Sequence, residues 1–307
     1  MMKGRAAALF LAVLATLTAC RRASRPAAAR SDTAELAARE QRLATRLANS
    51  GAGPVASWVL PKGLGEISGL AVTADGRLLA HNDEQGRVYV IDPRRGALLK
   101  RFAIGTNAGE ASADFEGITV ANGKVYMVAS NGTIYEFVEG EDGERVRYSL
   151  HDTRLGKECE FEGVAFDPAS GSLLLPCKTV GTRNLRDDLV IYRWNLQQTE
   201  SRISRLTIPL RRVIGSNRWK KLHPSDITVD PATGNYVLVA SREKALVEIT
   251  PSGDVVRSGA LPGKHRQAEG LAITPQGILV VSDEATNRSA IITLYRWPLS
   301  APTQAFP

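Results

Sequence analysis

The chain has 307 residues, 43% of them hydrophobic and 23% charged, with a net charge of +7. Such an excess invites a polyanion partner, but it is confined to one end. Lys3 and Arg5 carry +2, residues 21–54 a further +4, and residues 55–307 only +1, so the body gives no support to nucleic-acid binding.

In chain order, Lys3 and Arg5 precede an apolar run from Ala6 to Leu17 that ends in Leu17-Thr18-Ala19-Cys20. Twelve apolar residues are too few for a membrane-spanning helix, which needs roughly 20. A basic start, a short apolar stretch and small residues before a cut read as a signal peptide over 1–19. The Cys after Leu-Thr-Ala resembles the bacterial lipobox, which implies that Cys20 is lipidated (a diacylglycerol and palmitate-type anchor). Arg21 rather than Asp at the next position implies sorting to the outer membrane, facing the periplasm. The expected membrane contact is therefore through a lipid anchor, with the basic stalk near anionic headgroups. Within the segment 20–54, residues 21–31 are rich in Ala, Arg, Pro and Ser and read as disordered. Leu36, Leu43 and Leu47 recur at helical spacing behind Ser31, so 32–50 is expected to form a short helical spacer.

From residue 55 the helical period is lost and short β-branched runs alternate with Gly, Pro, Asn and Asp turns. One phrase recurs as Ser68-Gly-Leu-Ala-Val, Glu116-Gly-Ile-Thr-Val, Glu162-Gly-Val-Ala-Phe, Ser225-Asp-Ile-Thr-Val and Glu269-Gly-Leu-Ala-Ile. Successive copies start 48, 46, 63 and 44 positions apart, a period that suits propeller blades of four strands. Each copy continues through a turn, in two cases Asp167 to Gly171 and Asp230 to Gly234, into a second and a third apolar strand. The third strand carries Tyr192-Arg193-Trp194 in one copy and Tyr295-Arg296-Trp297 in another, a duplication that marks internal repetition. Copies one to four have a fourth strand and copy five has none. Residues 55–60 resemble the segment that precedes copy five, so the N-terminal strand is expected to complete the last blade and remove its edge. The fold class is thus all-β, a five-bladed β-propeller spanning 55–307. Copy three carries an Arg-rich excursion over 180–222, with Arg183, Arg186, Arg211, Arg212, Arg218, Lys220 and Lys221, read mainly as solvated loop.

First strands line a propeller's channel, so their starting residues Ser68, Glu116, Glu162, Ser225 and Glu269 should share one mouth, with Glu66 two residues before Ser68. Asp226 stands where the other copies have Gly. Turns converging on the same mouth add Asn82, Asp83, Asn131, Lys178, Arg242, Asp283 and Glu284. Carboxylates facing one another must be protonated, paired or bound to a cation. Hard oxygen donors in this number suit calcium, with Glu66, Glu116, Glu162, Glu269 and Asp226 as candidate ligands. The four scattered histidines do not suit zinc. The alternative is a buried salt-bridge network in which Lys178 and Arg242 neutralise the glutamates. Cys159 and Cys177 lie nearly opposite across a hairpin, a placement that allows a disulfide but also allows a register one residue out of step.

The phrases Glu66-Ile-Ser-Gly-Leu, Phe115-Glu-Gly-Ile, Phe161-Glu-Gly-Val, Pro224-Ser-Asp-Ile and Gln267-Ala-Glu-Gly-Leu resemble the SdiA-regulated domain family, related to NHL-repeat propellers. The resemblance covers about residues 55–297. It implies a membrane-tethered bacterial five-bladed propeller with channel calcium and no established catalysis, hence a monomeric module binding a small ligand or an envelope protein. Nucleophile-elbow, phosphate-loop and zinc-protease signatures are missing. The rival expectation is a calcium-dependent hydrolase, similar to propellers of the gluconolactonase and calcium-phytase types. There the glutamates would hold the metal, and Lys178 or Arg242 would steady substrate charge.

Overall fold

The computed structural model describes residues 27–49, 53–198 and 202–299. The expected signal peptide and the Cys20 anchor lie outside the described residues. Among those described, no helix is long and apolar enough to cross a membrane.

Five sheets, antiparallel except where Arg145–Val146 pairs parallel at the edge of blade one, are arranged as the blades of a propeller. Their innermost strands are Ile67–Val72, Phe115–Ala121, Ala165–Asp167, Asp226–Val229 and Ala268–Ile273, which contact one another around the axis. Blade five is Ala268–Ile273, Ile278–Asp283, Ile291–Arg296 and, outermost, Ala56–Val59. The closing strand pairs Ala56 with Leu294 and Val59 with Ile291, so the first strand of the body completes the last blade as expected. This pairing joins the two ends of the body and covers an edge that would otherwise present unpaired amides.

Apolar residues alternate onto both faces of each sheet, because each blade is packed between two others. Five buried clusters result, each made mainly of residues from two adjacent blades. The aspartates of the two repeated turns do double work. Asp167 holds its own turn through the Ala169 amide and accepts the Tyr236 hydroxyl of the next blade at 2.8 Å. Asp230 does the same with the Ala232 amide and the Trp297 indole N–H, the latter at 3.1 Å. A turn signal in the repeat is therefore also a latch between blades.

The N-terminal helix differs from its expectation. It spans Ala27–Asn49, so it includes residues read from sequence as disordered, and it is not a free spacer. Leu43 is buried among Val55, Ala56, Ile278 and Leu294. Glu40 accepts the Arg95 guanidinium at 2.8 Å, and the Arg39 guanidinium lies 5.8 Å from the Trp58 ring centre. The helix is thus held against blades one and five.

Candidate functional site

The innermost strands do not run straight into the channel mouth. Their registers slip between Ile67 and Gly69, between Phe115 and Gly117 and between Ala268 and Gly270. Ser68, Glu116 and Glu269 are therefore the extra residues of three β-bulges, a device that re-aims a side chain. Glu162 occupies the same place in blade three, in the gap between Cys159–Phe161 and Ala165–Asp167. The glycine that follows lets the strands meet at the axis. A Cβ on Gly117 would come 2.5 Å from the Val164 nitrogen, and Gly163 holds a φ of +87° that only glycine adopts freely.

Inter-blade bonds tie four of the five blade junctions around the mouth. The Phe115 amide donates to the Asp83 carbonyl at 2.7 Å, the Gly163 amide to the Glu116 carbonyl at 2.6 Å, and the Ser225 hydroxyl to the Ala268 carbonyl at 2.6 Å. The Ala285 amide donates to the Gly65 carbonyl at 2.8 Å, linking blade five to blade one.

At this mouth Glu116 and Glu269 each lie near enough to Glu162 for its charge to act on them. Burial first, then the Glu162 carboxylate, pushes the Glu116 carboxyl up to about 9. Ser68 donates to its Oε2 at 3.1 Å. Burial followed by the charge of Glu162 pushes Glu269 up to about 8. Glu162 is raised to about 7 by burial, even though Lys178 pulls it down through a direct ion pair. Burial alone would lower Lys178, yet the paired glutamate holds its ammonium above the ordinary value. Among the described residues one lysine thus faces the buried Glu162 and the half-buried Glu116 and Glu269, and the site has a deficit of positive charge.

The remaining candidates divide. Glu66 is exposed and lies with Asp83 and Glu284, whose carboxyls are both raised, chiefly by burial and then by their neighbours' charges. It does not join the three central glutamates. Asp226 is a correction of a different kind. It is fully buried, its Oδ1 accepts the Ile227 amide at 2.8 Å and its Oδ2 the Leu271 amide at 2.6 Å. Burial raises it well above the usual carboxylate range, and those amides leave it no role as an open metal ligand. Where other blades have glycine, this side chain fills the axis. The opposite mouth below it is a largely apolar cavity of about 380 Å³.

Asp283 turns away from the channel as well. It accepts His265 Nδ1 at 2.6 Å, and His265 Nε2 meets the Tyr295 hydroxyl at 2.8 Å. Asn131 closes its own turn through the Thr133 amide, and Asn82 does so through the Gln85 amide. Arg242 does reach the mouth. It lines a cavity of about 340 Å³ together with Lys178, Ser225, Lys244, Arg266 and Glu269. Arg266 and His223, which also line it, stand in loops between repeats and carry no periodic signal in the sequence.

Cys159 and Cys177 are bonded as a disulfide across 18 residues, with Cα atoms 5.4 Å apart. A loop of that length is constrained in the unfolded chain at about 3 kcal/mol. The bond lies beside Lys178 and fixes the end of the strand that carries it.

Calcium was expected among these carboxylates, and their donor chemistry fits a hard divalent cation, being oxygen-only and short of compensating charge. Among the described residues, no three His, Cys, Asp or Glu side chains are already gathered at metal-holding spacing. An ion would compete with Lys178 for Glu162.

Comparisons with known proteins bear first on the fold. A luciferin-regenerating enzyme superposes with a TM-score of 0.50 at 11% identity, covering 81% of this chain and 97% of that one. An aldose sugar dehydrogenase from Streptomyces coelicolor, solved with PQQ bound, gives 0.48 at 15% identity over 78% and 98% of the two chains. A gluconolactonase from Xanthomonas campestris gives 0.46 at 15% identity over 75% and 72%. No curated protein sequence matches the chain. A protein-family model does match, over residues 62–259, which takes in Glu116, Glu162 and Lys178 but stops short of Glu269. The chain therefore belongs to the Phytase-like family, described as "Esterase-like activity of phytase".

Proposed function

We propose that the protein is a hydrolase of anionic esters, with phosphate esters the first class to test, acting at the carboxylate mouth. The observation that carries this reading is the juxtaposition of Glu116, Glu162 and Glu269 with the basic cavity of Lys178, Arg242, Lys244 and Arg266. The glutamates are short of positive charge while the neighbouring wall is rich in it, so a bound cation and a bound anion would each be stabilised. The family's description as esterase-like supports the same choice.

Calcium is the proposed cofactor, held by Glu116, Glu162 and Glu269. When bound it would supply Lewis acidity toward the ester oxygen and lower the pKa of a water. The chain's own part is positioning. Arg242, exposed at the rim, and Lys178, half-buried, would hold the acidic group of the substrate. Ser68 and Ser225 offer hydroxyls at the same level of the channel.

A second reading follows from the closure of Glu162 onto Lys178, which neutralises part of the ring without a metal. In that case the propeller is a ligand- or protein-binding module. Its glutamate-glycine phrases would also support the narrower kinship with SdiA-regulated proteins. Either function is proposed for a monomer, anchored through Cys20 to the outer membrane and facing the periplasm.

The test is turnover by the purified full chain of a panel of phosphate esters and lactones, with and without a calcium chelator, alongside metal analysis and melting. Phosphate-ester hydrolysis that disappears with chelator supports the hydrolase. Bound calcium without turnover on any ester leaves the binding module; neither calcium nor turnover removes both the metal and the enzyme.

A further inference from the structure

The Arg-rich excursion of blade three, read from sequence as solvated loop, is folded onto the carboxylate mouth. It contains the strands Asp188–Asn195 and Ile203–Pro209, a helical turn at Arg183–Leu185 and the short helix Leu210–Ile214. Between these elements lies a second cavity of about 360 Å³, which shares Lys178 and His223 with the basic cavity beside it. Its floor is apolar, made by Val180, Leu189, Leu210 and Leu222. Its rim is basic. Lys221 donates to the Arg186 carbonyl and to Asp187 Oδ1, each at 3.1 Å, and the Arg186 guanidinium makes no hydrogen bond or ion pair among the described residues.

A groove with this lining has no use for a second inorganic anion alone. It begins at Lys178, where the acidic group of a substrate is placed, and runs outward over four aliphatic side chains. We propose that it receives the apolar leaving portion of the ester, so that the substrate class is an alkyl or aryl ester of an acidic group, with the acid at Lys178 and Arg242 and the carbon chain over Leu189, Leu210 and Leu222. Unlike a sugar phosphate, such a substrate satisfies both linings at once. Charge at the rim holds the acid, and the floor removes apolar surface from water. The chemistry of cleavage rests on the hydrolase reading above, whereas the binding does not.

Titration calorimetry of the full chain with methylphosphonate and hexylphosphonate separates the two. Neither compound contains the ester bond, so affinity is read without turnover. The hexyl compound is expected to bind on the order of tenfold tighter or more, since each buried methylene contributes roughly a factor of four. Leu222→Asn should abolish that preference while methylphosphonate affinity stays within about twofold. If that variant does not fold, Val180→Asn at a half-buried position serves instead. Equal affinities of the two phosphonates in the wild-type chain would overturn the proposal and leave the groove to a protein partner. A clear hexyl preference in a protein that hydrolyses no ester would uphold the groove and sink only the hydrolase.

Discussion

The Asp226 carboxylate accepts the Leu271 amide at 2.6 Å, crossing from the first strand of blade four to that of blade five at the channel axis. It stands where blade three has Gly163, whose own Cβ, if present, would lie 2.5 Å from Asp226 Oδ1. A single polar side chain thus occupies space that glycines leave open, and separates the carboxylate mouth from the apolar one. Asp226→Ala would leave two amides without a partner and open a void, at a cost of about 2–4 kcal/mol. Asp226→Asn keeps an acceptor and should cost less. The folded pKa is raised, so stability from this group is present at low pH and is lost as pH climbs through the folded value; the Asn variant should lose less stability from pH 4 upward. Urea unfolding of the three proteins across pH checks both statements.

His81 is fully buried against Phe115, its Nε2 has no partner among the described residues, and burial lowers it to about 4. Its folded pKa lies below that of an unfolded histidine, so the native state binds fewer protons. The contribution is complete above about pH 6.5 and is lost as pH falls toward 4, a drop of about 2 kcal/mol between pH 7 and 5. His81→Leu should flatten that segment of the stability curve. An unchanged slope would show that other groups set the acid limit.

Among the described residues, Lys178 is the one cation paired with the central glutamates. Lys178→Met without calcium should cost about 3 kcal/mol, because Glu162 would be left buried and unpaired. Saturating calcium should recover most of that loss if Glu116, Glu162 and Glu269 bind the ion, and none of it if they do not. Thermal melts of wild type and variant, with calcium and with chelator, distinguish the cases.

The latch from Tyr236 to Asp167 is 2.8 Å long and buried, and it holds the Tyr236 hydroxyl, itself pushed up to about 12 chiefly by burial. Tyr236→Phe removes only the hydroxyl, and a loss of about 1–2 kcal/mol is expected in chemical denaturation. A loss below the experimental error would mean that apolar packing alone joins blades three and four.

Removing the closing strand 55–60 should prevent cooperative unfolding altogether, since it exposes the edge of Ile291–Arg296. Removing residues 21–50 should retain cooperativity but lower stability by about 2–4 kcal/mol, because Leu43 leaves the blade-five cluster. Calorimetry of both truncations provides the comparison.

Much of this arrangement was legible in the chain itself. The phrase beginning at Ser68, Glu116, Glu162, Ser225 and Glu269 recurs at blade spacing, and a repeat of supersecondary units has few ways to bury its faces except around a ring. That same register sets Glu116, Glu162 and Glu269 at equivalent positions of three blades. The closing strand was legible for the same reason, as the missing member of a counted set.

Other relationships depend on side-chain direction and on ring closure, which no local pattern encodes. Asp226 shares the repeat position of a glycine but points along the axis, because the amides of blade five come within reach only once the ring is closed. Asp283 faces His265 rather than the channel, and Glu66 leaves the central glutamates for Asp83 and Glu284. The helix at Ala27–Asn49 could be anticipated from its leucine spacing, but the pocket that buries Leu43 is assembled from Val55, Ile278 and Leu294, far apart in sequence. Periodicity determined the blades and the residues at the mouth. Tertiary structure alone decided which carboxylates meet, which cation meets them and which is spent on the backbone, since distances of a few ångströms between blades follow from packing around a closed ring.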